Sequence, residues 1–125
     1  MPGRRAGRRR RPHPLPQDRP MTARFVALYE TPADSAAFDR RYHDVHLPLA
    51  RRLPGLRRYT ISRDPIAVRG GAPYYLVAEL EWDTMDELHA AFASPEGHAA
   101  AADAAHLQEL APVRSMILTV GESVL

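Results

Sequence analysis

The stretch YYLVAELEW, residues 74–82, constrains the fold more than any other part of the chain. Tyr74, Leu76, Ala78, Leu80 and Trp82 share one side, and Tyr75, Val77, Glu79 and Glu81 the other. A period of two is the pattern of a β-strand. A slip of one residue would exchange the two faces, so the stretch demands a sheet whose apolar face meets a core. The rest of the chain must supply partner strands and a cover. TARFVALYE (22–30) sets Phe25, Ala27 and Tyr29 against Val26 and Leu28, a strand apolar on both faces. LRRYTISRD (56–64) places Tyr59, Ile61 and Arg63 on one face, and RSMILTVGE (114–122) reads as a fourth strand. The loop PIAVRGGAP, marked by Gly70-Gly71 and Pro73, separates the second strand from the third.

Two helical regions provide the cover. Asp34 is a suitable N-cap, and Phe38, Tyr42, Val45, Leu49 and Leu53 recur at steps of three and four residues, one apolar stripe. Pro48 interrupts this helix by removing a donor and crowding the preceding turn. The expectation is a helix to about Asp44, a kink near His46 and a short helix from Pro48 to Leu53, closed by Pro54-Gly55. Thr84-Met-Asp-Glu87 is a capping box ahead of Leu88, Ala91 and Phe92. Ser94-Pro95 opens a further, Ala-rich helix. The order β-α-β-β-α-β predicts an α+β, ferredoxin-like fold with a four-stranded antiparallel sheet. Helices of one copy cover one face of that sheet. The other face is expected to expose Phe25 or Val26, Tyr75, Val77, Met116 and Leu118. An apolar patch of that extent marks an interface, which predicts a homodimer with sheets face to face and a small-molecule cavity enclosed between them.

Charge and composition narrow the function classes. All 17 cationic side chains are Arg, and seven of them lie in the first 20 residues beside five prolines and one Asp. Residues 1–20 cannot bury enough apolar surface to offset chain entropy and are expected to be a disordered Arg/Pro-rich tail, leaving 21–125 as the domain. The tail lacks the apolar core of a secretory signal. Met21 as the true start, a loose arm for nucleic acid or acidic lipid, and a transit-type segment remain alternative readings of it. The domain carries 10 Arg against 14 acids, so its charge does not suit nucleic acid. The absence of cysteine excludes disulfides, thiolate nucleophiles and Cys-ligated metals. No run of 18 apolar residues is present to span a membrane, and a chain without cysteine is expected in a reducing, cytoplasmic setting.

From Phe38 through YHDVHLPLARRLPGLRRY, then PYYLVAELEW and ASPEGHAAAAD, the chain resembles the EthD family, named for ethyl tert-butyl ether degradation, of the dimeric α/β-barrel superfamily. The resemblance spans about Met21 to Leu125. It rests on His46-Leu47-Pro48, Pro54-Gly55-Leu56 and Ser94–Gly97 taken together. It implies the ferredoxin-like dimer. Its implication for activity is broader: members are often labelled reductases or ether-degradation proteins, and related barrels include cofactor-independent monooxygenases, muconolactone-type isomerases, polyketide cyclases and more distant heme-binding enzymes.

At about 100° per residue, His46 falls roughly 50–60° from the centre of the helical stripe and His43 roughly 115° away. His46 is therefore the candidate catalytic imidazole, able to exchange a proton with a phenol, an enol or a lactone α-carbon near neutral pH. The competing reading is a structural histidine that bonds a carbonyl freed by Pro48. Tyr42, His43, Tyr59 and Tyr75 are candidate substrate-binding residues, with Trp82 a further aromatic wall. Glu79 is a second acid/base candidate if it faces a cavity, and otherwise an ion-pair partner for Arg. His43 and His46 are spaced as helical neighbours, but spacing supplies no third ligand, so neither a metal nor any other cofactor is expected. No phosphate loop, nucleophile elbow or dinucleotide fingerprint is present. The expectation is a small cofactor-independent enzyme, oxidoreductase- or isomerase-like, acting on a hydrophobic metabolite. The alternative is a non-catalytic dimeric binding or accessory protein.

Overall fold

The computed structural model describes residues 21–71 and 73–125. The expected disordered tail, 1–20, lies outside the described residues. Strands β1 (Thr22–Tyr29), β2 (Arg58–Arg63), β3 (Leu76–Trp82) and β4 (Val113–Val120) form one sheet in the order β2-β3-β1-β4, every neighbouring pair antiparallel. Helices α1 (Ser35–Arg41), α2 (Leu47–Ala50), α3 (Met85–Ala93) and α4 (Pro95–Leu110) follow in the expected places. The fold is α+β with the ferredoxin-like βαββαβ order.

Register assigns the faces. Ala23, Phe25, Ala27 and Tyr29 pair with Trp82, Leu80, Ala78 and Leu76, and this side carries the core. Trp82, Phe38, Leu76, Leu88 and Leu107 are fully buried there, each contributing about 1.5–3 kcal/mol of transfer free energy. Trp82 also donates from Nε1 to the Pro54 carbonyl at 2.8 Å. That bond anchors the turn at Gly55, whose φ of +73° suits glycine.

On the opposite face Val26 pairs with Glu79 and Met116, and Arg24 with Glu81 and Leu118. Val26, Val77, Met116 and Leu118 thus lie on the expected outer face. Phe25 faces the core side instead, with its ring against Phe92 at 5.2 Å. Tyr75 precedes β3 at a bend and turns towards α1, where its ring packs on Phe38. Glu79 and Glu81 are tied within the chain, Glu79 to Arg24 at 3.3 Å and Glu81 to Arg24 and Arg58.

Around the kink expected near His46, the helical turns run on without a gap from Ser35 to Ala50. Between α1 and α2 the chain forms a π turn, Tyr42–His46, in which the Leu47 N–H reaches back five residues to the Tyr42 carbonyl. Pro48 has no N–H to give and its ring needs room against the preceding turn; the wider coil provides both. The π turn also re-phases the apolar stripe. Val45 and Leu49 are only half-buried, while Phe38, Tyr42, His46 and Ala50, at uniform steps of four, are buried. A π turn holds more residues per revolution than an α-helix, so a step of four returns closer to the same face. His46 consequently sits on the buried face rather than at its margin.

The other two caps follow the expected chemistry. The Thr84 and Ser94 side chains accept from the amides of Glu87 and Gly97. At Gly97 an added Cβ would lie 2.3 Å from the Ala91 carbonyl oxygen, so glycine is what lets α4 turn tightly off the end of α3.

Candidate functional site

A cavity of about 380 Å³ lies inside the subunit, between the core face of the sheet and the helices. It lies within one copy, whereas the hollow expected between two facing sheets concerns a second copy. The cavity comes from side-chain size. The sheet contributes Ala27 and Ala78, which are cross-strand partners, and α4 contributes Gly97, Ala100, Ala101, Ala104 and Ala105. Methyl groups on both walls cannot span the gap between the layers. Phe25, Leu80, Phe92 and Leu53 close the sides, and exposed Ala101, Ala105 and Gln108 line the mouth.

Into this apolar space the π turn brings Tyr42 and His46, and β2 brings Tyr59. His46 is 9% exposed. Its Nδ1 lies 3.0 Å from Oδ2 of Asp103, a carboxylate only 3% exposed that projects from α4. The other carboxylate oxygen accepts from Arg41, from Nε at 2.8 Å and from Nη2. An ionised carboxylate only accepts, so Nδ1 carries the hydrogen and Nε2 the lone pair. Nε2 has no hydrogen-bond partner among the described residues. Burial lowers the pKa of His46 below its ordinary value of 6.5; Asp103 opposes that shift and Arg41 adds to it. The ring is neutral at pH 7, which is the form that can accept a proton.

Tyrosine hydroxyls gather beside it. Tyr42 and Tyr59 are joined oxygen to oxygen at 2.6 Å, and Tyr29, 4% exposed, lines the same cavity. Burial raises the pKa of all three, so they stay protonated through the physiological range.

Of the five residues singled out from the sequence, the cavity unites His46, Tyr42 and Tyr59. His43 is exposed and Tyr75 lies outside the cavity. They meet instead in a surface cluster, where Arg63 contacts the His43 ring at 2.6 Å and reaches Asp39 at 3.5 Å, and the Tyr75 hydroxyl is 3.0 Å from both Asp39 oxygens. Sequence reasoning missed Asp103, Arg41 and Tyr29. A lone acid in the alanine run AAAADAAH was the available signal for Asp103. Its meaning depends on where α4 crosses the first helix, which spacing does not reveal. Among the described residues no group of three or more His, Asp or Glu is placed to hold a metal ion, and no helix is long and apolar enough to cross a membrane.

Comparison with known proteins places this geometry in context. The EthD domain model matches residues 30–110. An uncharacterized 11.0 kDa protein in the thcB–thcC intergenic region of Rhodococcus erythropolis is 39% identical over 84 residues, covering 66% of this chain and 81% of that protein. The crystal structure of an ethyl tert-butyl ether degradation (EthD) family protein from Bacillus halodurans is 35% identical, with a TM-score of 0.69 over 83% of this chain and all of that one. SnoaB from Streptomyces nogalater, described as a cofactor-independent oxygenase, shares the fold at 19% identity and a TM-score of 0.62, over 83% of this chain and 97% of its own. A dimeric ferredoxin-like protein of unknown function from Thermobifida fusca does so at 20% and 0.60, over 82% and 93%. With its domain model matched across most of the described chain and a family structure superposing at 35% identity, the chain belongs to the EthD family.

Proposed function

We propose that this chain is an enzyme that transfers protons to and from a hydrophobic small metabolite bound in the cavity, with His46 as the base. One observation carries the reading. An imidazole lines an apolar cavity with Nδ1 fixed by a buried carboxylate and Nε2 without a hydrogen-bond partner among the described residues. Fixing one ring nitrogen sets the tautomer and aims the other at its target. Nε2 takes a proton from an acidic C–H or O–H of the ligand. Returning that proton to another position of the ligand isomerises it or closes a ring. Alternatively, the ligand anion hands electrons to dioxygen as the oxidant. The cavity volume falls in the range that holds small ligands. The fold shared with a cofactor-independent oxygenase is compatible with the oxidative branch. We further propose a homodimer through the outer sheet face, supported by exposed Met116 and Leu118 and by a structural neighbour described as dimeric.

Hydrogen–deuterium exchange tests the chemistry without knowledge of the substrate. A panel of enolisable ring ketones in D2O, followed by proton NMR, is expected to show exchange that depends on the protein and is lost in His46→Ala. Sedimentation is expected to give a dimer for both proteins. Exchange undiminished in His46→Ala removes His46 from the chemistry. Ligand binding retained with no exchange in either protein favours a binding or accessory role.

A further inference from the structure

We infer that the cavity recognises a flat ring compound bearing one oxygen that becomes anionic, a phenol or an enolisable ring ketone, and that Tyr29 and the Tyr42–Tyr59 pair hold that oxygen while His46 takes the proton. The inference rests on the proposed role of His46 and adds what the ligand must carry. It starts from a count of hydrogens. Tyr42 and Tyr59 together own two hydroxyl hydrogens, and the 2.6 Å contact between them uses one. Whichever ring donates, the other keeps its hydrogen, and neither hydroxyl has a further partner among the described residues. The Tyr29 hydroxyl has none among them either, although this side chain is 96% buried by its exposure of 4%. Two donors therefore line an apolar cavity with nothing in the described chain to receive them. Buried donors are normally satisfied, so a ligand that supplies an acceptor gains what the protein withholds.

The positions agree with such a ligand. The rings of Tyr29 and Tyr42 stand edge to face at 5.9 Å, and those of Tyr42 and His46 lie 5.3 Å apart. The donors and the base thus share one end of the cavity, as an anion formed by proton loss requires. The opposing walls, Ala27 and Ala78 on the sheet and Ala100 and Ala104 on α4, carry only methyl groups. Two low walls suit a planar ring. Burial keeps the three phenols protonated, so they remain donors to the oxygen and do not compete with it for negative charge.

Titration of the full chain with 2-naphthol and with naphthalene isolates the oxygen. The wild type is expected to bind 2-naphthol at least tenfold more tightly. Tyr29→Phe and the paired Tyr42→Phe/Tyr59→Phe, which keep the rings, are each expected to reduce that preference about threefold. The triple variant should reduce it about tenfold, with naphthalene affinity unchanged within twofold. Equal binding of the two probes by the wild type, or a preference undiminished in the triple variant, overturns the inference. The wild-type comparison decides the matter even where a variant folds poorly. If both probes bind equally, the oxygen-holding site falls while His46 as base still stands on the exchange assay. If neither binds, the cavity reading falls too.

Discussion

The two helical walls of the cavity are built on opposite plans. The wall from the first helical region is bulky and carries polar groups: Tyr42 and His46 project from a π turn and deliver a phenol and an imidazole. The α4 wall is glycine and alanine up to Gln108 at the mouth, and its contribution is room. One residue breaks the division of labour. Asp103 is the buried charge on α4, and it reaches across to fix His46 and to be fixed by Arg41. The difference shows that a site of this kind needs two unlike surfaces and a single strong tie to hold them in register. A buried carboxylate with both oxygens engaged is a suitable tie, because breaking it leaves an uncompensated charge in low dielectric.

Cutting the tie is expected to have the largest effect. In Asp103→Asn the Nδ1 partner can donate instead of accept, which permits the wrong tautomer. The exchange rate should fall on the order of 10²–10⁴-fold. The pH profile sharpens the result. Burial holds the folded pKa of His46 below 6.5, so base activity in the wild type should be flat at neutral pH and decline only below 6.5. Asp103 raises that pKa, so the acid limb in Asp103→Asn should move to still lower pH. Stability follows the same sign. Below 6.5 the unfolded chain takes up the His46 proton before the folded chain does, and folding weakens as the pH falls towards the folded pKa. An acid limb that moves upward in the variant would contradict this arrangement.

The plan of the α4 wall is tested by adding atoms to it. Gly97→Ala pushes a methyl group to within 2.3 Å of a carbonyl oxygen at the junction of α3 and α4. Thermal or urea unfolding is expected to show a loss of about 1–3 kcal/mol. Ala104→Leu places its extra carbons in the cavity itself. Its expected signature is the reverse: a stability change under about 1.5 kcal/mol, with naphthalene affinity reduced about tenfold by calorimetry. If Ala104→Leu instead destabilised the fold and left binding intact, the cavity would not be the ligand site.

Much of this architecture was legible in the sequence, for reasons that differ by element. The alternation in 74–82 and the caps at Asp34, Thr84 and Ser94 are local signals, and local geometry obeys them. The place of the cavity was not legible. Ala27, Ala78 and Ala104 read as packing residues or helix formers; only when two such surfaces face each other does their smallness become a void. A uniform 100° step puts His46 on the margin of its helix. The π turn at Tyr42–His46 changes that step, and Pro48 was its only visible sign. Tyr29 reads as a sheet residue, because strand alternation says which side a ring faces but not whether its hydroxyl finds a partner. Asp103 acquires its role across 57 residues of sequence separation from His46, beyond any spacing rule.

The smallest expected effect concerns the other imidazole of the same turn. His43 is three residues from His46, yet it faces outward, and its ring contacts Arg63 in a cluster completed by Asp39 and Tyr75. Both partners of the Arg63–Asp39 pair are more than one-third exposed on their side chains. Exposed pairs of this kind contribute at most about 1 kcal/mol. His43→Gln keeps a polar side chain at the site and removes nothing from the cavity. Unfolding free energy should therefore stay within about 0.5 kcal/mol of the wild type, and exchange activity within twofold. The comparison with His46→Gln is then direct: the same substitution, one turn of helix, and a gap of at least a hundredfold in rate between them. Should the two variants lose activity alike, the outward cluster would belong to the reaction, and the division into a cavity face and a solvent face would have to be redrawn around Arg63.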